Sequence, residues 1–123
     1  MRPIISAIVA TTLLASSPAL AGQAKITVLY NQPKSAEEFD KYYYEKHMPM
    51  VYAVKDIKKV EVARPAPGAH SPYYVVTELW FESPEALKAV AATPEWKAIV
   101  DDVANFAPPG TATIVVSEVE PKR

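Results

Sequence analysis

The side chains best suited to chemistry gather in one stretch, Tyr30 to Met50, which reads YNQPKSAEEFDKYYYEKHMPM. His47 is one of two histidines in the chain. Imidazole titrates near neutral pH, so it can move a proton or hydrogen-bond a ligand. Phe39, Tyr42 and Tyr43 precede it at helical spacing. Advancing about 100° per residue, Ala36, Phe39, Tyr42 and Tyr43 fall within one buried-stripe width. His47 then lies at the margin of that stripe, near the direction of Asp40, between core and solvent. Two readings stand side by side. His47 is an acid/base group at a pocket mouth, or it caps a helix end by bonding free carbonyls. Tyr30, Phe39, Tyr42 and Tyr43 likewise either line a flat aromatic pocket with phenol handles or pack as ordinary core.

The element that must position these residues is legible at its start. Ser35 is a good N-cap, and Glu38 three residues later supplies a capping box. The pattern predicts a helix running toward Met48 and stopped by Pro49. His47 would then occupy the last turn, where the helix dipole favours imidazolium and raises the histidine pKa, while burial against Tyr43 pushes the other way, so titration is expected somewhere between about pH 5.5 and 7.5. Asp40 is two turns from His47, a long reach for an orienting partner.

Around this helix the sequence predicts four strands: Lys25–Tyr30, Ile57–Ala63, Tyr73–Phe81 and Thr111–Val119. The third is richest in aromatic and β-branched residues. A second helical region opens at Ser83-Pro84 and breaks at Thr93-Pro94. Trp96, Ile99, Val100 and Val103 mark its buried face. The prolines after residue 21 all fall at predicted junctions, as their missing N–H requires. The order β-α-β-β-α-β is the split-βαβ, ferredoxin-like arrangement: an α+β fold with a four-stranded antiparallel sheet and both helices on one face.

The third strand adds a second expectation. Tyr73, Val75, Thr77, Leu79 and Phe81 share one face; Tyr74, Val76, Glu78 and Trp80 share the other. Both are largely apolar, whereas a sheet with one solvated face alternates apolar with polar. Helices cover only one face, so the economical cover for the other is a second copy of the chain, giving a homodimeric α/β barrel. Glu78 interrupts the second face as an interface ion pair, an exposed residue or a catalytic acid. His70 lies in a proline-rich loop, and Lys55, Lys58 and Lys59 read as a solvated face.

The first 21 residues read as a secretory signal peptide: Arg2, the apolar run Ile4–Leu14, then Ala19-Leu20-Ala21. The run is short of the roughly 20 residues a membrane span needs. Export to the periplasm or beyond is expected, with a single domain over residues 22–123 and no membrane insertion after cleavage. The formal charge is −1, which gives no electrostatic reason to expect nucleic acid. The absence of cysteine removes disulfides, thiolate catalysis and zinc fingers. No metal-ligand spacing and no glycine-rich phosphate loop is present, so no metal and no nucleotide cofactor are expected.

Phe39-x-x-Tyr42-Tyr43-x-x-x-His47-x-Pro49 resembles the signature helix of the EthD family. Tyr30-x-x-Pro33 and Asn105-Phe106 fit the same family. The resemblance implies ferredoxin-like domains that dimerise into an α+β barrel, and it favours the functional reading of His47. It also implies oxidoreductase chemistry: oxidation of an activated aromatic by oxygen, with a proton-shifting isomerisation, cyclisation or lyase step as the other class. Haem stays open, because some barrels of similar architecture bind it. The leading expectation is a cofactor-independent enzyme acting on a small apolar or aromatic compound through His47, with Tyr30, Phe39, Tyr42 and Tyr43 at the substrate. The alternative is a non-catalytic periplasmic binding or accessory module.

Overall fold

The computed structural model describes residues 22–123, so the segment read as a signal peptide lies outside the described residues. The chain runs β1 (Ala24–Asn31), α1 (Ala36–Tyr42), a π-helical turn (Tyr43–His47), α2 (Met48–Tyr52), β2 (Lys59–Ala63), β3 (Tyr73–Phe81), α3 (Pro84–Ala91), α4 (Pro94–Asp102), a 3₁₀ turn (Val103–Asn105) and β4 (Ala112–Glu118). The strands form one sheet in the order β2-β3-β1-β4, with every neighbouring pair antiparallel. This is the expected ferredoxin-like topology.

The alternation read from the sequence sets the layers. On the inner face, Ala24, Ile26, Val28 and Tyr30 of β1 stand beside Val75, Thr77, Leu79 and Phe81 of β3, and all are buried. Phe39, Tyr43, Met48 and Val51 close this layer from the first helical arm. Leu87, Val90 and Ile99 close it from the second. Burying such a side chain contributes roughly 1.5–3 kcal/mol relative to leaving it in water. The helix starts follow their signals. The N–H groups of Glu38, Ala86 and Trp96 donate to the side-chain oxygens of Ser35, Ser83 and Thr93. Pro84 and Pro94 sit in first turns, where a missing N–H costs nothing.

Pro49 departs from expectation. It does not stop the helix, which continues to Tyr52. The turn before it is widened: the Met48 N–H reaches back to the Tyr43 carbonyl, five residues away. The helix restarts beyond that turn, so Pro49 falls in the first turn of α2 rather than in a continuous α-helical ladder. Two smaller corrections concern burial and strand length. Val100 is 39 % exposed rather than part of the buried face. β2 begins at Lys59, two residues late, although the Lys58 N–H still bonds the Trp80 carbonyl at 2.7 Å.

On the outer face, Trp80 lies between the ammonium groups of Lys25 and Lys59, each 4.6 Å from its ring. Glu78 accepts from Lys25 at 2.7 Å and from the Thr27 hydroxyl at 3.3 Å. It is thus ion-paired within its own subunit, on the face away from His47. Leu29, Val76 and Val115 share this outer face by register, and Val115 is 43 % exposed.

Candidate active site

The widened turn decides where the histidine goes. In a continuous α-helix His47 would lie at the edge of the apolar stripe. A π turn rotates fewer degrees per residue, so it carries His47 back toward the centre of the stripe. The ring lies over Tyr43, with centroids 5.9 Å apart and planes 22° from parallel, and His47 is only 3 % exposed. It is neither in the last turn nor at the boundary with solvent, so the dipole loses its place and burial is the effect that prevails. Burial disfavours the charged ring and outweighs the hydrogen bond and charge of Asp102, so the His47 pKa is lowered.

Asp102 is the centre of the constellation. One carboxylate oxygen lies 2.9 Å from His47 Nδ1. The other accepts from the Tyr42 hydroxyl at 2.6 Å and from the Asn105 side-chain amide at 2.9 Å. Burial raises the Asp102 pKa, but the bonds from Tyr42, Asn105 and His47 prevail and hold it below the ordinary carboxylate value. The ionised carboxylate only accepts, so the imidazole carries its hydrogen on Nδ1. That leaves Nε2 as the basic lone pair. The bond to Asp102 also raises the Tyr42 pKa, keeping that phenol protonated. The arrangement is an oriented neutral base with a carboxylate placed to stabilise the imidazolium that proton uptake would create.

Two spaces lie near the pair, one lined by the Asp102 partners Tyr42 and Asn105 and the other by His47 itself. An open groove of ≈ 370 Å³ is walled by Pro33, Lys34, Ser35, Glu38, Phe39, Tyr42, Asn105, Phe106 and Pro108. Its size is that of a small-ligand site. On the inner side, His47, Tyr30, Met48, Thr77 and neighbouring apolar residues line a cavity of ≈ 30 Å³, room for about one water molecule. Phe106 lines the groove, and its ring centroid is 4.7 Å from that of His47, which lines the inner cavity.

The predicted substrate residues therefore divide. Phe39 and Tyr42 reach the groove, with Tyr42 half-buried and stacked on Phe106. Tyr30 and Tyr43 are fully inside. Burial raises both phenol pKa values, that of Tyr43 to about 12. The Tyr43 hydroxyl is hydrogen-bonded to Thr77. Asp40, weighed as a partner for His47, instead binds Arg64 and Tyr74, each at 3.0 Å. Sequence reasoning missed Asp102. Its one signal was its position one helical turn before Asn105-Phe106. Among the described residues, no group of three His, Asp or Glu is gathered to hold a metal.

Fold and site together define a ferredoxin-like domain carrying a buried carboxylate–imidazole pair beside an aromatic groove. Residues 31–110 match the EthD domain, and the chain belongs to the EthD family. It is 30 % identical over 96 residues to an uncharacterized 11.0 kDa protein of the thcB-thcC intergenic region of Rhodococcus erythropolis, covering 76 % of this chain and 93 % of that one. An EthD family protein from Bacillus halodurans superimposes with a TM-score of 0.72 at 27 % identity, over 79 % of this chain and 98 % of that one. Two more distant structures share the fold. A dimeric ferredoxin-like protein of unknown function from Jannaschia has a TM-score of 0.63 at 15 % identity, over 80 % of this chain and all (100 %) of that one. A variant of SnoaB, a cofactor-independent oxygenase from Streptomyces nogalater, has a TM-score of 0.61 at 9 % identity, over 83 % and 97 %.

Proposed function

We propose that this EthD protein is a cofactor-independent acid/base enzyme that removes a proton from a small aromatic compound. The observation that carries the reading is the Asp102–His47 pair, in which an ionised carboxylate fixes a neutral imidazole with Nε2 free to accept. The groove supplies aromatic walls from Phe39, Tyr42 and Phe106 and polar contacts from Lys34, Ser35 and Asn105. A phenol or an acidic C–H compound suits those walls. Its anion is electron-rich and can react with dioxygen or rearrange. The fold shared with a cofactor-independent oxygenase supports the first course, an oxidoreductase reaction.

The same reading includes export after removal of residues 1–21, and a homodimer built on the outer sheet face. Half-exposed Val115 beside Leu29 and Val76 supports the homodimer, as do the dimeric neighbours. The experiment is incubation of aromatic carbon acids with the protein in D₂O, with exchange followed by NMR and oxygen uptake by electrode. Exchange with wild type and none with His47→Gln supports the enzyme. Ligand binding without exchange in either protein points to the binding module instead.

A further inference from the structure

Phe106 is cupped by five rings. Its centroid lies 5.3 Å from Phe39, 5.5 Å from Tyr30, 5.6 Å from Tyr42, 5.7 Å from Tyr43 and 4.7 Å from His47. An aromatic residue in such a cage is ordinarily core. Three observations set this one apart. Phe106 is only half-buried, because one side of its ring forms a wall of the groove. It belongs to no strand or long helix and sits just after the 3₁₀ turn, between exposed Asn105 and buried Ala107. Its backbone is nonetheless fixed, since the N–H groups of Phe106 and Ala107 both donate to the Val103 carbonyl, at 3.1 and 2.8 Å. The ring can therefore turn out on a stationary backbone, and the groove of ≈ 370 Å³ has room to receive it. The inner cavity of ≈ 30 Å³ has no room for an organic ligand beside it.

We propose that Phe106 is the gate and specificity-determining residue of this site: it occupies, in the unliganded protein, the place of a single aromatic ring of substrate beside His47. This rests on the reading that the aromatic face holds the ligand, but not on any turnover. A ligand ring entering from the groove displaces the phenyl ring and takes over its contacts with Tyr30, Phe39 and His47. The cage measures one ring, so monocyclic aromatics should enter and fused polycyclic ones should not. With Phe106 in place, the His47 base is shut from the groove, so proton transfer waits on a ligand that fits.

The test uses phenol as the probe, with intermolecular NOEs measured on the wild-type protein. The expected result is NOEs from phenol to the His47 and Tyr30 rings, with loss of the Phe106–His47 NOE as phenol saturates. Phe106→Ala should bind phenol at least tenfold more tightly, with the same His47 shifts, and should also admit naphthol. Phenol held only on the groove side of Phe106, with the Phe106–His47 contact intact, overturns the proposal. So does binding in Phe106→Ala without any binding beside His47 in wild type, because an ordinary core ring leaves a cavity that behaves that way. If Phe106→Ala does not fold, the wild-type NOE pattern alone decides. Phenol beside His47 with no proton exchange on any carbon acid leaves the gate standing and removes the enzyme reading.

Discussion

Removing the Asp102 carboxylate takes away the acceptor on which His47, Tyr42 and Asn105 converge. In Asp102→Ala the His47 Nδ1–H loses its acceptor inside a site where the ring is 3 % exposed. A buried donor left unpaired costs about 1–3 kcal/mol. The bonds from Tyr42 and Asn105 lie at the groove edge, where water can replace them, so they add little. For a domain of this size each kcal/mol lowers Tm by about 4–8 °C, which gives a fall on the order of 5–20 °C by calorimetry. Asp102→Asn separates charge from hydrogen bonding. It keeps an oxygen for Nδ1–H, so Tm should fall less than in the alanine variant. It removes the negative charge that favours imidazolium, so the His47 pKa, already below 6.5, should fall further. An NMR titration of the His47 ring reads this directly. If Asp102→Asn leaves that titration unmoved, or Asp102→Ala leaves Tm unchanged, the pair is not the electrostatic centre of the site.

Other consequences follow from the same geometry. Because the folded His47 pKa is lowered, the unfolded chain binds the proton first as pH falls. Stability from His47 is therefore complete above about pH 6.5 and declines between there and the lower folded value. Asp102, with its pKa depressed below 3.8, adds a second loss at more acid pH. Urea unfolding from pH 8 to 3 should show both losses, and His47→Gln should lack the first. Tyr43→Phe leaves the buried Thr77 hydroxyl without its partner and should cost about 1–2 kcal/mol in the same assay. Val76→Asp places a charge on the outer face between Leu29 and Ala63. It should split the proposed homodimer in light scattering, since an uncompensated buried charge costs about 3–5 kcal/mol; an unchanged dimer mass would show that this face is not the interface. Intact mass of protein recovered from the cell envelope should begin at Gly22.

The fold was legible because its signals are local. Ser35, Ser83 and Thr93 each announce a helix start by their own side chains, and the two-residue alternation of β3 names both faces of the sheet. The site was only half legible. His47 and its aromatic neighbours share one helix, so spacing found them. The π turn was invisible, because an extra residue in a helical turn leaves no mark in a 3.6-residue pattern; Pro49 was therefore read as a stop rather than a restart. The same error placed His47 near solvent and so left open whether the dipole or burial governs its pKa; burial does. Asp102 comes from the second helical arm, 55 residues along the chain, and only the packing of α4 against the first arm brings it to the imidazole. Phe106 was visible as part of a motif, but its place between groove and base is a tertiary fact.

The chemistry proposed for this site is removal of a proton from an aromatic carbon acid by His47, held by Asp102. The pH dependence of deuterium exchange at that acid, set beside the NMR titration of His47 in the same protein, tests it. The rate should rise through one inflection below pH 6.5 that coincides with the His47 titration, and His47→Gln should abolish it. A rate that ignores the His47 titration, or survives in His47→Gln, would show that His47 is not the base.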